Sequence, residues 1–229
     1  MTIAMLATGL LVAIAFWAIE RRTATPMLPP VFFANRRRAV AVMSASLMGF
    51  VFYGTLFTMS LYFQEVRGWS PASAGIALLP LTVGTIVGPF VAYRPLARRF
   101  GHPVLLVAGF AGAGVGIAIL SGTVPRTQYE LIALGLLVIG LASTVAFSAL
   151  TSLLLANVAP HQAGLASGVQ NTTRQTGALM AVSIVGAALN AGTIGSGLSV
   201  AFGVLAAAAV VAVAVSSLSL APGPEAEIT

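Results

Sequence analysis

Residues 164–190 read GLASGVQNTTRQTGALMAVSIVGAALN. From Thr176 to Leu189 the run is apolar but holds only 14 residues, whereas a helix needs about 20 to cross the hydrocarbon core of a bilayer. A span built on this stretch reaches back past Arg174 and carries a guanidinium into the membrane. At about 100° per residue, Ser167, Gln170, Asn171, Arg174 and Gln175 share one side, which continues as Ala178 and Ala181. A guanidinium at bilayer depth costs from about 2.5 to more than 10 kcal/mol, so this side is expected to face a pathway, a water-filled cavity or a fixed polar junction. The competing expectation is an arginine that snorkels to the headgroups or pins two helices together.

Composition sets the class. Of 229 residues, 58% are hydrophobic and 7% charged, with mean hydropathy +1.00; a soluble domain carries about 25% charged residues. The expectation is an all-α integral membrane protein. The formal charge of +6 comes from arginine without lysine, set against five glutamates and no aspartate. Most of the arginines fall in two short loops, which is positive-inside patterning and not a nucleic-acid surface. No cysteine is present, so disulfides, thiolate chemistry and cysteine metal sites are excluded. His102 and His161 lie far apart in expected loops without metal-ligand spacing, and solvation accounts for both. There is no HExxH helix, no GxSxG elbow and no carboxylate pair within a span, so an intramembrane enzyme is not expected. The sequon at Asn171 lies at membrane depth, out of reach of glycosylation.

Taken in order, the chain gives seven expected spans. Residues 1–19 form an apolar transmembrane run followed by Glu20, Arg21 and Arg22, which places its start outside, as for an internal helix of a longer protein. Residues 20–38 carry Pro26, Pro29, Pro30 and five arginines and form a stiff cytoplasmic linker. Residues 39–220 hold six further spans, and 221–229 form a cytoplasmic tail. Within 39–63, Phe50, Tyr53, Phe57, Ser60 and Gln64 recur at steps of three and four as one stripe, read as a cavity lining. The span 72–93 contains Pro80, Gly84, Gly88 and Pro89; two prolines break two rungs of hydrogen bonding, so this helix bends, which suits gating. Arg94, Arg98 and Arg99 put the loop 94–103, with Gly101, in the cytoplasm. Ala108, Gly112 and Gly116, four apart, mark close helix packing. Eight arginines on the expected inner loops against Arg67 and Arg126 outside support a multi-pass protein of the cell membrane with a cytoplasmic C-terminus.

Four stretches resemble one family: ERRTATPMLPPVFFANRR, LYFQEVRGWSPASAGIALLP, YRPLARRFGHPVLLVAG and APHQAGLASGVQNTTRQTGALMAV. They are similar to the major facilitator superfamily, in particular its fourteen-helix drug:proton antiporter branch. The resemblance implies the last seven helices of fourteen: one extra central helix, then the six-helix C-terminal half, the other pseudo-repeat being absent. One departure stands out. The family's loop signature resembles G-x-x-x-D-R-x-G-R-R, and aligning Gly101 with its later glycine puts Arg98 where the aspartate would stand, so the loop looks degenerate.

The resemblance implies efflux of hydrophobic or cationic small molecules driven by the proton gradient, with no bound cofactor or metal. Proton coupling needs a buried titratable group, normally a carboxylate. Glu20, Glu65 and Glu130 fall at span ends and Glu225 and Glu227 in the tail, so that carboxylate is expected in a missing N-terminal half. The alternative expectation is a self-standing seven-helix homodimeric half-transporter or channel. In the intact protein the 39–63 stripe and the Arg174 cluster are expected to face the central cavity.

Overall fold

The structure, a computed structural model, describes residues 36–123, 129–156, 158–190 and 194–220. The expected first span (1–19), most of the linker and the tail lie outside the described residues. What is described is helical. Helix α1 (Arg36–Leu61) runs on into a π-helical turn, Tyr62–Val66. It begins inside the expected linker, since arginine is a good helix former and no proline follows Pro30 there. The next candidate crossing is one interrupted rod made of α2 (Pro71–Ala77), α3 (Leu79–Gly88), a π-helical segment (Pro89–Tyr93) and α4 (Arg94–Phe100). Helices α5 (His102–Thr123), α6 (Tyr129–Ala156), α7 (Ala163–Asn190) and α8 (Ile194–Ser217) complete the bundle.

Local chemistry fixes the ends. Ser70 caps α2, its hydroxyl accepting from the Ser73 N–H at 3.2 Å, with Pro71 in the first turn where its missing N–H is harmless. Gly101 ends α4 at φ 77°, in the left-handed region that a side chain disfavours. Among the described residues five helices are long and apolar enough to cross a membrane: Arg38–Val66, Pro71–Phe100, His102–Gly122, Tyr129–Ala156 and Gly195–Ser217. Helix α7, at 28 residues, has the length, and its polar first half keeps it outside that set.

Two apolar clusters hold the bundle together, one at each end. One gathers Met59, Tyr62, Phe63, Ile117, Leu136 and Phe202, the other Ala45, Leu106, Phe110, Leu150 and Ala166. Between them α1 and α7 meet almost backbone to backbone. A Cβ on Gly49 would collide with the Arg174 carbonyl oxygen, and one on Gly177 with the Ser46 carbonyl oxygen. This contact places the backbone of Arg174 against α1.

Gly177→Ala should therefore destabilise the bundle by about 1–3 kcal/mol, the usual penalty of overpacking. Gly168→Ala, on the same helix where an added Cβ meets nothing within 4 Å, should be neutral or stabilising by up to about 1 kcal/mol. Reversible unfolding of the two variants in mixed detergent micelles measures the difference.

Candidate functional site

Arg174 sits where the two apolar clusters meet, about 16 Å along α7 from its start at Ala163. That is further than an arginine side chain extends, and the guanidinium turns inward. Its Nη1 donates to the Tyr53 hydroxyl at 2.9 Å and its Nη2 to the Asn171 Oδ1 at 2.8 Å. The guanidinium carbon lies 5.6 Å from the centre of the Tyr53 ring and 5.9 Å from that of Phe147, within cation–π range. Nε is buried and has no hydrogen-bond partner. Among the described residues the cation is thus held by neutral groups, with its buried Nε unpaired.

Beside it lies a cavity of about 360 Å³, within the ~300–1,000 Å³ of small-molecule pockets. Helix α1 lines it with Met48, Gly49, Phe52 and Tyr53, α3 with Thr85, α6 with Ser143, Thr144 and Phe147, and α7 with Arg174. Phe52 and Tyr53 meet edge to face at 5.3 Å. None of these residues is acidic, and Glu65 and Glu130 are exposed. The cavity offers aromatic faces, hydroxyls and one fixed positive charge.

The expected wall is redistributed by the packing. Of the α1 stripe, Tyr53 reaches Arg174, whereas Phe50 and Phe57 pack on the apolar cluster that includes Phe63. Gln64 turns back to Ser60, its Nε2 donating to that residue's hydroxyl at 3.0 Å and its carbonyl at 3.2 Å. On α7, Gln170 is buried and donates to the Thr151 hydroxyl at 2.8 Å, while Ser167, Asn171 and Gln175 are exposed. The polar side of α7 splits in two, one edge gripping α6 and the other open.

The bent rod α2–α4 meets the cavity at its second proline. Pro89 has no N–H, so the Thr85 carbonyl four residues back loses its helical donor. Thr144 on α6 replaces it, donating at 3.2 Å while also facing the Gly140 carbonyl at 3.0 Å. Near Pro80 the chain turns at Leu78, whose carbonyl accepts from both Leu81 and Thr82. The Ala77 carbonyl then accepts from the Tyr129 hydroxyl at 3.3 Å. Gly84 lets this rod touch α6: a Cβ there would lie 2.6 Å from the Leu137 carbonyl oxygen, and Gly88 is likewise buried. Both breaks in the rod are thus tied to α6.

At the Arg-rich end, Arg94, Arg98 and Arg99 are exposed, with Arg94 over the Phe90 ring at 4.9 Å and Arg99 over Phe100 at 5.5 Å. His102 is not a solvated loop residue. It opens α5, half-buried, with its Nδ1 3.1 Å from the Tyr93 hydroxyl, which also lies 2.7 Å from Ser152 Oγ. One tyrosine thereby joins three helices.

Two double-mutant cycles check this geometry. Tyr53→Phe should cost about 1.5–3 kcal/mol, as expected for a hydrogen bond to a charged group, and should become nearly neutral in an Arg174→Met background. Thr144→Val should cost about 1 kcal/mol, and less when Pro89→Ala restores a backbone N–H for Thr85. Unfolding titrations of the reconstituted protein read both coupling energies.

Comparison with known proteins agrees with this architecture. Residues 1–182 match the family model described as Major Facilitator Superfamily. The chain is 30% identical over 188 residues to a puromycin resistance protein of Streptomyces alboniger, covering 81% of this chain and 37% of that one. It is 29% identical over 191 residues to a multidrug resistance protein of Mycobacterium tuberculosis, covering 83% and 35%. It is also 29% identical over 185 residues to a tetracenomycin C resistance and export protein of Streptomyces glaucescens, covering 81% and 34%. The chain thus spans about a third of the length of the curated relatives it matches. With a multi-pass helical bundle, a proline-bent span and a family match over most of its length, this chain belongs to the Major Facilitator Superfamily.

Proposed function

We propose that the chain is the C-terminal half of a secondary active exporter that moves hydrophobic small molecules across the cell membrane in exchange for protons. In this reading it works with a second six-helix half, and the substrate path runs past Arg174. The observation that carries it is the Arg174 cluster: a half-buried guanidinium beside a cavity, held by neutral groups among the described residues and with its buried Nε unpaired. Such a group is expensive in an apolar bundle and is kept where charge or polarity is handled. The names of the relatives, which speak of resistance and of export, point the same way.

The cavity's chemistry selects among substrates. Phe52 and Phe147 offer apolar faces, and Arg174 repels a positive charge placed beside it. Hydrophobic cations would therefore bind with their charge turned away from Arg174 and towards the second half. The proton-coupling carboxylate is assigned to that half too, since the two described glutamates, Glu65 and Glu130, are exposed. A homodimer would bring two copies of Arg174 together without a described buried carboxylate to balance them.

A chimera tests this. The segment of the Streptomyces alboniger puromycin resistance protein that aligns with this chain is replaced by the chain itself and expressed in an efflux-deficient host. The chimera should lower puromycin accumulation, this chain alone should not, and Arg174→Ala in the chimera should restore accumulation at unchanged protein level. Lowered accumulation with the chain alone would favour the homodimer.

A further inference from the structure

Buried hydroxyls in this bundle turn back onto their own helices wherever nothing else is asked of them. Thr55, Thr58 and Ser216 donate to the Val51, Gly54 and Val213 carbonyls, the usual recourse of a hydroxyl inside a helix. Thr144 does the same at Gly140 and also reaches Thr85. Its neighbour Ser143 does not follow them. Ser143 is 4% exposed, lies midway along α6 and makes no hydrogen bond among the described residues. A hydroxyl left unpaired at that depth, where water is scarce, calls for a partner. Ser44 is also buried and unpaired, but it lines neither cavity, whereas Ser143 lines the one beside Arg174.

The polar groups around Ser143 are set to donate. Arg174 can only donate. The Tyr53 hydroxyl accepts from it and keeps its own proton to give. The one backbone acceptor that Pro89 frees, the Thr85 carbonyl, is already taken by Thr144. Phe147 stands one helical turn beyond Ser143 on the same face of α6, and Phe52 adds a second ring to the lining. Aromatic faces joined to unpaired donors, in about 360 Å³, match an aromatic ring that bears an oxygen acceptor.

We propose that Ser143 is a specificity residue of this cavity, donating its hydroxyl to a carbonyl oxygen of an aromatic compound whose ring lies against Phe147. The proposal rests on the reading that the Arg174 cavity takes the exported compound, and it narrows the substrate class to aryl ketones and aryl amides. In a hydrophobic cation of that class the carbonyl end faces Ser143 and the charge faces the second half.

Met48, on the wall of the same cavity, gives the readout, because photoexcited benzophenone inserts into the C–H bonds beside a methionine sulfur. The chain is placed in phosphatidylcholine vesicles and illuminated with benzophenone, and the adduct at Met48 is quantified while fluorenone or its methylene analogue fluorene competes. Corrected for membrane partitioning, fluorenone should protect Met48 at about fivefold lower concentration than fluorene, the net effect of one hydrogen bond. Ser143→Ala should remove that preference without lowering the unfolding temperature, since the hydroxyl has no described partner within the fold. The carbonyl stretch of bound, isotope-labelled fluorenone should rise in the same variant towards its value in hydrocarbon. Equal protection by the two compounds in the unsubstituted chain would overturn the proposal and leave Ser143 to a water molecule. A preference or a carbonyl stretch unchanged by Ser143→Ala would overturn it too, as would the absence of an adduct at Met48. Nothing is transported in this assay, so a chimera that fails to export counts against the function above, and these ratios alone decide the role of Ser143.

Discussion

A guanidinium placed midway along α7, half-buried and with no described carboxylate beside it, constrains everything around it. It cannot face lipid, and the bundle meets its demand with a phenol, an amide and two aromatic faces. For that to work α1 and α7 must approach until Gly49 and Gly177 leave no room for a methyl group. The close approach lets Tyr53 reach across to Arg174, and it sets one wall of the cavity. Packing and polarity are one problem here, solved by the same pair of helices.

A second demand is met in a similar way. The rod α2–α4 bends where prolines remove backbone donors, and unmatched carbonyls are costly where water is scarce. Thr144 supplies at Thr85 what Pro89 removes, and Tyr129 donates to the Ala77 carbonyl where α2 gives way to α3. The bent rod therefore moves only if these contacts are exchanged for others. Thr85 and Thr144 also line the Arg174 cavity, so what occupies the cavity is placed to sense the bend.

Much of this was legible in the sequence. The short apolar run after Thr176 pointed to one helix reaching back past Arg174, and α7 runs unbroken from Ala163 to Asn190. The prolines marked where the rod α2–α4 is interrupted, near Pro80 and at the π-helical segment Pro89–Tyr93, whereas Arg94, Arg98 and Arg99, expected in a loop, lie in α4. The partners were not legible. Tyr53 looked equivalent to Phe50 and Phe57 on a helical wheel, and only the crossing of α1 with α7 separates it from them. Thr144, Phe147 and Tyr129 lie in an apolar helix with nothing in its periodicity to mark them. His102 looked like a loop residue because its partner Tyr93 belongs to a different helix, and such pairings follow from tertiary packing.

The central claim is that the Arg174 cavity is reached by water and by transported molecules. Because the chain contains no cysteine, single thiols can be placed without background. The most direct measurement is the rate at which a membrane-impermeant, hydrophilic thiol reagent modifies Phe147→Cys, on the cavity wall, compared with Val210→Cys on the outward face of α8. The account predicts rapid modification of Phe147→Cys that slows when a transported compound is present, with Val210→Cys inert. A Phe147→Cys thiol as inert as the one at Val210 would contradict it, and Arg174 would then be a packing residue and not part of a path.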